Sequence, residues 1–522
     1  MKNQKLTLLP VLNCVSILCF LLLSLSEVNA QKTGIFTGNA DIGKPSKAGS
    51  AKYNPADQSY NLRGAGYNIW FARDEFHYLY NSIKGDFLLT ANFEFVGKGK
   101  EPHRKTGWMI RESTDEKSGH ITAALHGDGL TVMQWRVSNG AEMRDPLDEI
   151  FSTDSAFNVI QLERSGKTIT MRAAHSGKPF VTIGSHVMEN QPDEVLVGPF
   201  ICSHNPDVTE EVKIWNVRID KPVPDDYNPG KSGNLGCRME ILNIADCKRK
   251  VIWEKDGRFE APNWMPDGKQ LLFNMDGLMW KIPVNGGKIT QLNTGSVKNC
   301  NNDHGISFDG KLLAISSSKP GQGGGSAVWF LPLAGGEPKL VTEETPSYFH
   351  GWATNNKEVV YVAQRDGKRV YNIYRKSIEG GKEVALTDIQ AGEHTDGCEY
   401  SPDGKYIYYN GNHTGKMQLW RIKPDGSGRE QLTFDDYNNW FPHISPDGKW
   451  ILFISFPPDI DANSHPSYKR VMLRLMPVTL GEPKVVAYLY GGQGTINVPS
   501  WSPDSKQVAF VSNSEAPEKK NP

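Results

Sequence analysis

Short apolar runs alternate with clusters of Gly, Pro, Asn and Asp along most of the chain, the period-two texture of half-buried strands joined by turns. In the C-terminal half the texture repeats. A polar turn recurs six times, at Trp264–Lys269, Ile306–Lys311, Trp352–Lys357, Tyr400–Lys405, Ile444–Lys449 and Trp501–Lys506. Its turn residues Asp267, Asp309, Asn355, Asp403, Asp447 and Asp504 lie 42, 46, 48, 44 and 57 residues apart, the spacing of four-stranded propeller blades. Apolar runs such as Tyr406–Tyr409 and Trp450–Phe453 follow the turn, and a third strand such as Gln418–Ile422 follows a hairpin. The last copy supplies two strands before the chain ends. Met239–Ile244 and Lys250–Glu254 are expected to complete its sheet, so that the ring has no exposed edge.

Before the repeats, strands are expected at Phe87–Val96, Thr106–Arg111, Ile121–Leu125, Leu130–Val137, Val159–Glu163, Thr168–Ala173, Val195–Cys202 and Val212–Ile219. That pattern predicts a β-sandwich. The expected fold is all-β: a leader at 1–30, a jelly-roll-like sandwich at 31–220, a Pro/Asp/Gly-rich linker at 221–236, a six-bladed propeller at 237–515 and a tail at 516–522.

The leader reads as a secretory signal. Lys2 and Lys5 precede an apolar stretch from Leu8 to Leu25, and Val28–Ala30 supplies small residues at a cleavage-site spacing. A retained anchor is the competing reading, but Pro10, Asn13 and several serines break the stretch, and no later segment has the roughly 18 apolar residues a span requires. A secreted or periplasmic protein without a transmembrane segment after cleavage is expected. Composition narrows the partners: 58 Lys plus Arg against 59 Asp plus Glu give a net charge of -1, which disfavours nucleic acid. After the leader, Cys202, Cys237, Cys247, Cys300 and Cys398 remain, with Cys237–Cys247 the most plausible disulfide and two buried thiols the alternative.

The six turn phrases resemble the PD40 (WD40-like) repeats of TolB-type six-bladed propellers, and the N-terminal strands resemble the concanavalin-like jelly rolls found beside carbohydrate enzymes. The third copy departs from the repeat, with Asn355–Asn356 in place of Asp-Gly, although Asn also tolerates a left-handed backbone.

Chain order sends the Asp-Gly turns to one propeller face and all six of its histidines to the other. His304, His350, His394 and His443 precede inner strands, whereas His413 and His465 lie in hairpins. Imidazole titrates near neutrality and binds metals, so His350, His443 and His304 are candidate catalytic groups. His304, His394 and His443 are candidate ligands of a divalent ion such as Mn, Ca or Zn. Trp440, Tyr348, Asp396 and Glu399 would contact a sugar, and Arg365 and Arg369 would clamp its carboxylate. In the sandwich, Trp108, Arg111, His126, Asp128 and Trp135 would line a concave face, with core packing as the alternative for the tryptophans.

No GxSxG elbow, HExxH, phosphate-binding loop or Rossmann fingerprint occurs. Two classes survive. One is a carbohydrate-active carbon–oxygen lyase on oligosaccharides or polysaccharides, similar in architecture and in its histidine-rich channel mouth to oligogalacturonate lyases. The other is a non-catalytic TolB-like scaffold or glycan-binding protein with a periplasmic protein partner.

Overall fold

In the computed structural model, residues 33–224, 226–319 and 324–514 are described. The expected leader lies outside them, as does the tail at 516–522. Among the described residues the only helix is a single turn, Pro229–Ser232, in the linker.

Residues 33–220 form two seven-stranded antiparallel sheets packed face to face. Alternate residues of facing strands, including Phe93, Trp108, Ile110, Ile121 and Leu162, fill the space between the sheets. The opposite face of one sheet is buried too. Met109, Ala124, Phe200 and Cys202 pack there under Ile42 and Ile69. Beside them, Asp74 is fully enclosed and accepts hydrogen bonds from Arg111 (2.8 Å) and, through both oxygens, from Arg136 (2.6 and 2.7 Å).

The propeller follows from its turn chemistry. In four copies a serine hydroxyl donates to the turn aspartate, as Ser401 does to Asp403 Oδ1 at 2.7 Å, and the same oxygen accepts the backbone N–H of Lys405 at 3.1 Å. This Asx-type closure fixes each hairpin. Indoles staple neighbouring blades: Trp352 Nε1 donates to Gly305 O (2.8 Å) and Trp501 Nε1 to His443 O (3.0 Å). Five four-stranded sheets result. The sixth joins the two ends of the repeat region, Gln507–Asn513 pairing with Cys237–Asn243, which pairs with Arg249–Lys255.

The expected disulfide does not form, and all five described cysteines are free thiols. Cys237 begins the strand Cys237–Asn243 and Cys247 lies in the turn beyond its far end. Some six residues of extended chain, roughly 20 Å, hold them apart, against the 7 Å limit for a bridge.

The sandwich sits against the side of the ring. Gln58 mimics a strand residue, donating to Val251 O (2.9 Å) and accepting from Val251 N (3.0 Å), while Arg218 pairs with buried Glu240 at 2.5 Å. Arg470 and Glu163 add a further pair. The expected concave-face tryptophans are core residues: Trp108 donates to Ile160 O, and Trp135 stacks on His186 at 3.8 Å. Arg111 is consumed by Asp74.

Candidate functional site

Bulges in the inner strands shape the propeller's central channel. In the strand Ser347–Trp352, Phe349 pairs with Tyr361 and Gly351 with Val360, leaving His350 as the extra residue. In Thr395–Tyr400 the shift falls between Asp396 and Glu399, and in Asn438–Ile444 between Trp440 and His443. Gly397 has φ +61°, and a Cβ there would lie 2.6 Å from Asn410 Oδ1, so only glycine fits this bulge. Phe441 adopts a left-handed φ of 54° without that freedom, and its N–H donates to the same Asn410 oxygen at 2.9 Å. Of the two, only Phe441 carries backbone strain.

The result is a funnel of about 430 Å³ built from propeller residues alone. Asp396 is its hub. Oδ1 lies 2.7 Å from His350 Nε2, and Oδ2 lies 3.8 Å from His394 Nε2 and 3.7 Å from His465 Nε2. Burial pushes the Asp396 carboxyl up, but the histidines outweigh it and hold the group well below the usual carboxylate range. Burial likewise opposes protonation of His350, yet Asp396, Asp303 and Glu399 raise it above its ordinary value. Asp303 behaves oppositely. Burial, joined by the Asp396 and Glu260 charges against the opposing pull of His350, pushes it up to about 7.

Tyr348 and Tyr371 meet edge to face at 5.9 Å on the rim, and burial pushes the Tyr371 hydroxyl up to about 12. Arg258 pairs with Glu260, whose Oε1 also accepts from Asn302 Nδ2 at 3.2 Å. Asn301, Gln493 and Asn497 add amides to the wall.

Of the sequence-derived candidates, His350, Tyr348, Asp396 and His394 line this funnel. The others lie elsewhere. His443 is buried outside the funnel wall with both nitrogens engaged, Nδ1 2.7 Å from Glu399 and Nε2 2.5 Å from Ile496 O. Glu399 also accepts the Ile444 N–H. His304 is enclosed, with neither ring nitrogen hydrogen-bonded, and burial drives it down to about 4. Trp440 is fully buried and braces the histidines from behind, its ring 4.4 Å from His465 and 5.5 Å from His394. Arg365 is buried against Glu383 and Ser347, and Arg369 is exposed on its hairpin. Neither forms the expected carboxylate clamp.

The expected metal ligands are therefore not assembled: His394 meets His350 and His465 rather than His304 and His443. Among the described residues no group of three His, Cys, Asp or Glu side chains is arranged to hold a metal ion. The imidazoles converge on a carboxylate instead of enclosing a point at ligand distance.

Sequence reasoning placed His465 on the correct face but not in the site, and it missed Tyr371, Arg258 and Glu260 as wall residues. Glu260 carried a signal. It stands four residues before Trp264, as Asp396 does before Tyr400.

At the opposite mouth, Trp264, Trp352, Trp501, Pro402, Pro446 and Phe308 help line an apolar cup of about 370 Å³, whose inner wall includes His350 and Glu399.

No protein-family model matches the chain. An uncharacterized protein of Agrobacterium fabrum is 43% identical over 283 residues, covering 54% of this chain and 94% of that protein. The solved structure of putative TolB from Agrobacterium tumefaciens is 42% identical, with a TM-score of 0.51, and covers 54% of this chain and all of that one. The Tol-Pal system protein TolB of Francisella tularensis is 23% identical over 231 residues, 42% of this chain, which spans about half (51%) of that relative's length. An oligogalacturonate lyase in complex with manganese is more distant, at 14% identity and a TM-score of 0.34 over 58% of this chain and 81% of that one. Through its C-terminal half, the chain belongs to the TolB-like family of six-bladed β-propellers.

Proposed function

We propose that the funnel binds an acidic oligosaccharide and breaks a carbon–oxygen bond by β-elimination, in a secreted or periplasmic protein. One observation carries this reading: His350 and Asp303 share a single cavity, where the environment pushes Asp303 up to about 7 and raises His350 above its ordinary value.

Asp396 holds His350 through Nε2, leaving Nδ1 without a protein hydrogen bond. In this scheme Nδ1 removes the proton beside the sugar carboxylate, with Asp396 stabilising the imidazolium as carboxylates do in catalytic triads. Asp303, protonated over much of the neutral range, donates its proton to the departing glycosidic oxygen. The C–O bond breaks as the carbon–carbon double bond forms. Arg258 is the guanidinium on the wall suited to the substrate carboxylate, the amides suit hydroxyls, and Tyr348 and Tyr371 offer stacking faces. No step requires a metal.

A conjugated ultraviolet chromophore should appear on incubation with uronate-containing oligosaccharides. Absence of both this absorbance and new reducing ends across pectic, alginate, ulvan and glycosaminoglycan fragments would rule the lyase out.

The apolar cup favours the second reading, a non-catalytic propeller with a protein partner. Phe308, 47% exposed, stands at the edge of a contiguous apolar surface with Trp264, Trp352 and Trp501, the kind of patch that marks a docking site. Co-purification of a periplasmic protein, lost on Phe308→Asp, together with a silent funnel would select it.

A further inference from the structure

A second cluster of titratable groups lies in the sandwich, remote from the funnel residues in the chain. Lys105 stands directly opposite Cys202 on one neighbouring strand and His126 on the other, so the three share a sheet face. His103 and His204 extend that group. The His103 ring lies 6.0 Å from His126 and 5.6 Å from His204, centroid to centroid. His204 is held at a left-handed φ of 57°.

What sets the cluster apart is that no carboxylate among the described residues pairs with it directly. Lys105 is 4% exposed, yet its amine makes no hydrogen bond or ion pair. Both nitrogens of His126, 7% exposed, are also without a partner. Asp74 is paired with Arg111 and Arg136, and Glu210 with Arg104, while Glu149 accepts from Gln134 and reaches Lys105 only through its charge. Cys202 directs its thiol at backbone carbonyls, and Glu101 acts on His204 only through its charge. Lysine is rarely enclosed to this degree without a partner. Burial first, and then mutual repulsion, depresses His126 to about 2 and lowers His204. Burial also lowers Lys105. Two enclosed donors without an acceptor, Lys105 and His126, with the imidazoles of His103 and His204 beside them, describe an anion site. The ammonium in their midst argues against a metal cation.

We propose that Lys105, His126, His103 and His204 form a binding site for a tetrahedral oxyanion, sulfate or phosphate, either free or as an ester on a larger ligand. Such an anion supplies the missing charge and accepts from all four groups. The site does not depend on the reading of the funnel.

The test is calorimetric titration of the full chain with sodium sulfate and sodium phosphate, against sodium chloride at equal ionic strength. Saturable binding of one equivalent is expected, surviving in His350→Ala and weakened about tenfold or more in Lys105→Met, the loss of one charge-assisted contact. The exposed His103→Gln variant provides a second measurement free of folding effects, with a smaller loss. Without anion, Lys105→Met should melt no lower than the parent, because it removes an unpaired charge; a lower melting temperature would mark the lysine as structural and overturn the proposal. An O-sulfated monosaccharide that binds more tightly than free sulfate identifies an ester as the source, and equal affinity identifies the free ion. No saturable anion binding, binding unchanged in Lys105→Met, or stabilisation by zinc alone that disappears in His103→Gln would each overturn the proposal.

Discussion

His304 and His350 occupy the same position in consecutive repeats, two residues before the residue that opens the turn, yet they have opposite fates. In the second blade the register shift falls between Cys300 and His304, so His304 is back in register opposite Ile315 and sealed from the channel. In the third blade His350 is itself the extra residue, and it turns to Asp396. One residue's difference in the placement of a bulge separates an inert core imidazole from a titrating group on the channel wall. His443 shows a third outcome, buried and locked by Glu399 and Ile496. In this ring a histidine's chemistry is set by bulge position and partner rather than by its place in the repeat.

The largest expected effect breaks the comparison kinetically. His350→Ala should reduce elimination by about 10² to 10⁴, the usual loss for a general base, whereas His304→Leu should leave the rate unchanged. Absorbance assays of the two purified variants on one uronate substrate decide it. Equal losses would mean that the bulge does not assign the roles.

His443→Ala should act on stability instead. Removing it leaves Glu399 buried without its imidazole and opens a cavity, a loss of about 3 kcal/mol in denaturant unfolding. The rate per folded molecule should be retained.

Asp303→Asn sharpens the contrast through pH. In the folded protein this carboxyl titrates near 7, against 3.8 ordinarily, so the native state holds the proton more tightly than the unfolded chain. Stability therefore falls as pH rises from about 4 to 7, and the full penalty, roughly 4 kcal/mol, persists above 7. The Asn variant should be more stable than the parent at pH 8, nearly equal below pH 4, and inactive if Asp303 is the proton donor. Thermal melts at the two pH values measure the first two outcomes.

The propeller was legible because its instructions are local: an Asp or Asn accepts the Lys N–H at each turn, a serine joins it in four copies, and the tryptophans that staple the blades belong to the same phrase. Closure by Cys237–Asn243 was legible by counting strands. The site was legible only in part. Chain order places histidines on a face, but whether a side chain points inward depends on bulges such as those at His350 and Phe441, which arise from packing between blades. Arg365 was misplaced for a related reason: its partner Glu383 lies across the hairpin on an outer strand connection, where repeat alignment provides no guide. The buried face of the sandwich sheet was hidden as well, because alternation there is apolar or charged on both sides.

The smallest effect tests the inert member of the pair. His304 is enclosed, neither nitrogen has a side-chain partner, and burial, against weaker opposition from the Asn302 and Leu272 backbone, drives it down to about 4 in the folded protein against 6.5 ordinarily. The unfolded chain therefore binds a proton that the native state refuses, and stability is lost as pH falls from about 6.5 toward 4. At pH 7 both states carry a neutral ring, so His304→Leu exchanges one buried apolar surface for another of similar size and relieves two unsatisfied nitrogens. A change within about 1 kcal/mol is expected there. Between pH 6 and 4 the variant should lose stability less steeply than the parent, by up to one proton in the slope of unfolding free energy against pH. Parallel slopes would mean that His304 finds a partner when protonated, and the division between it and His350 would then rest on access to the channel alone.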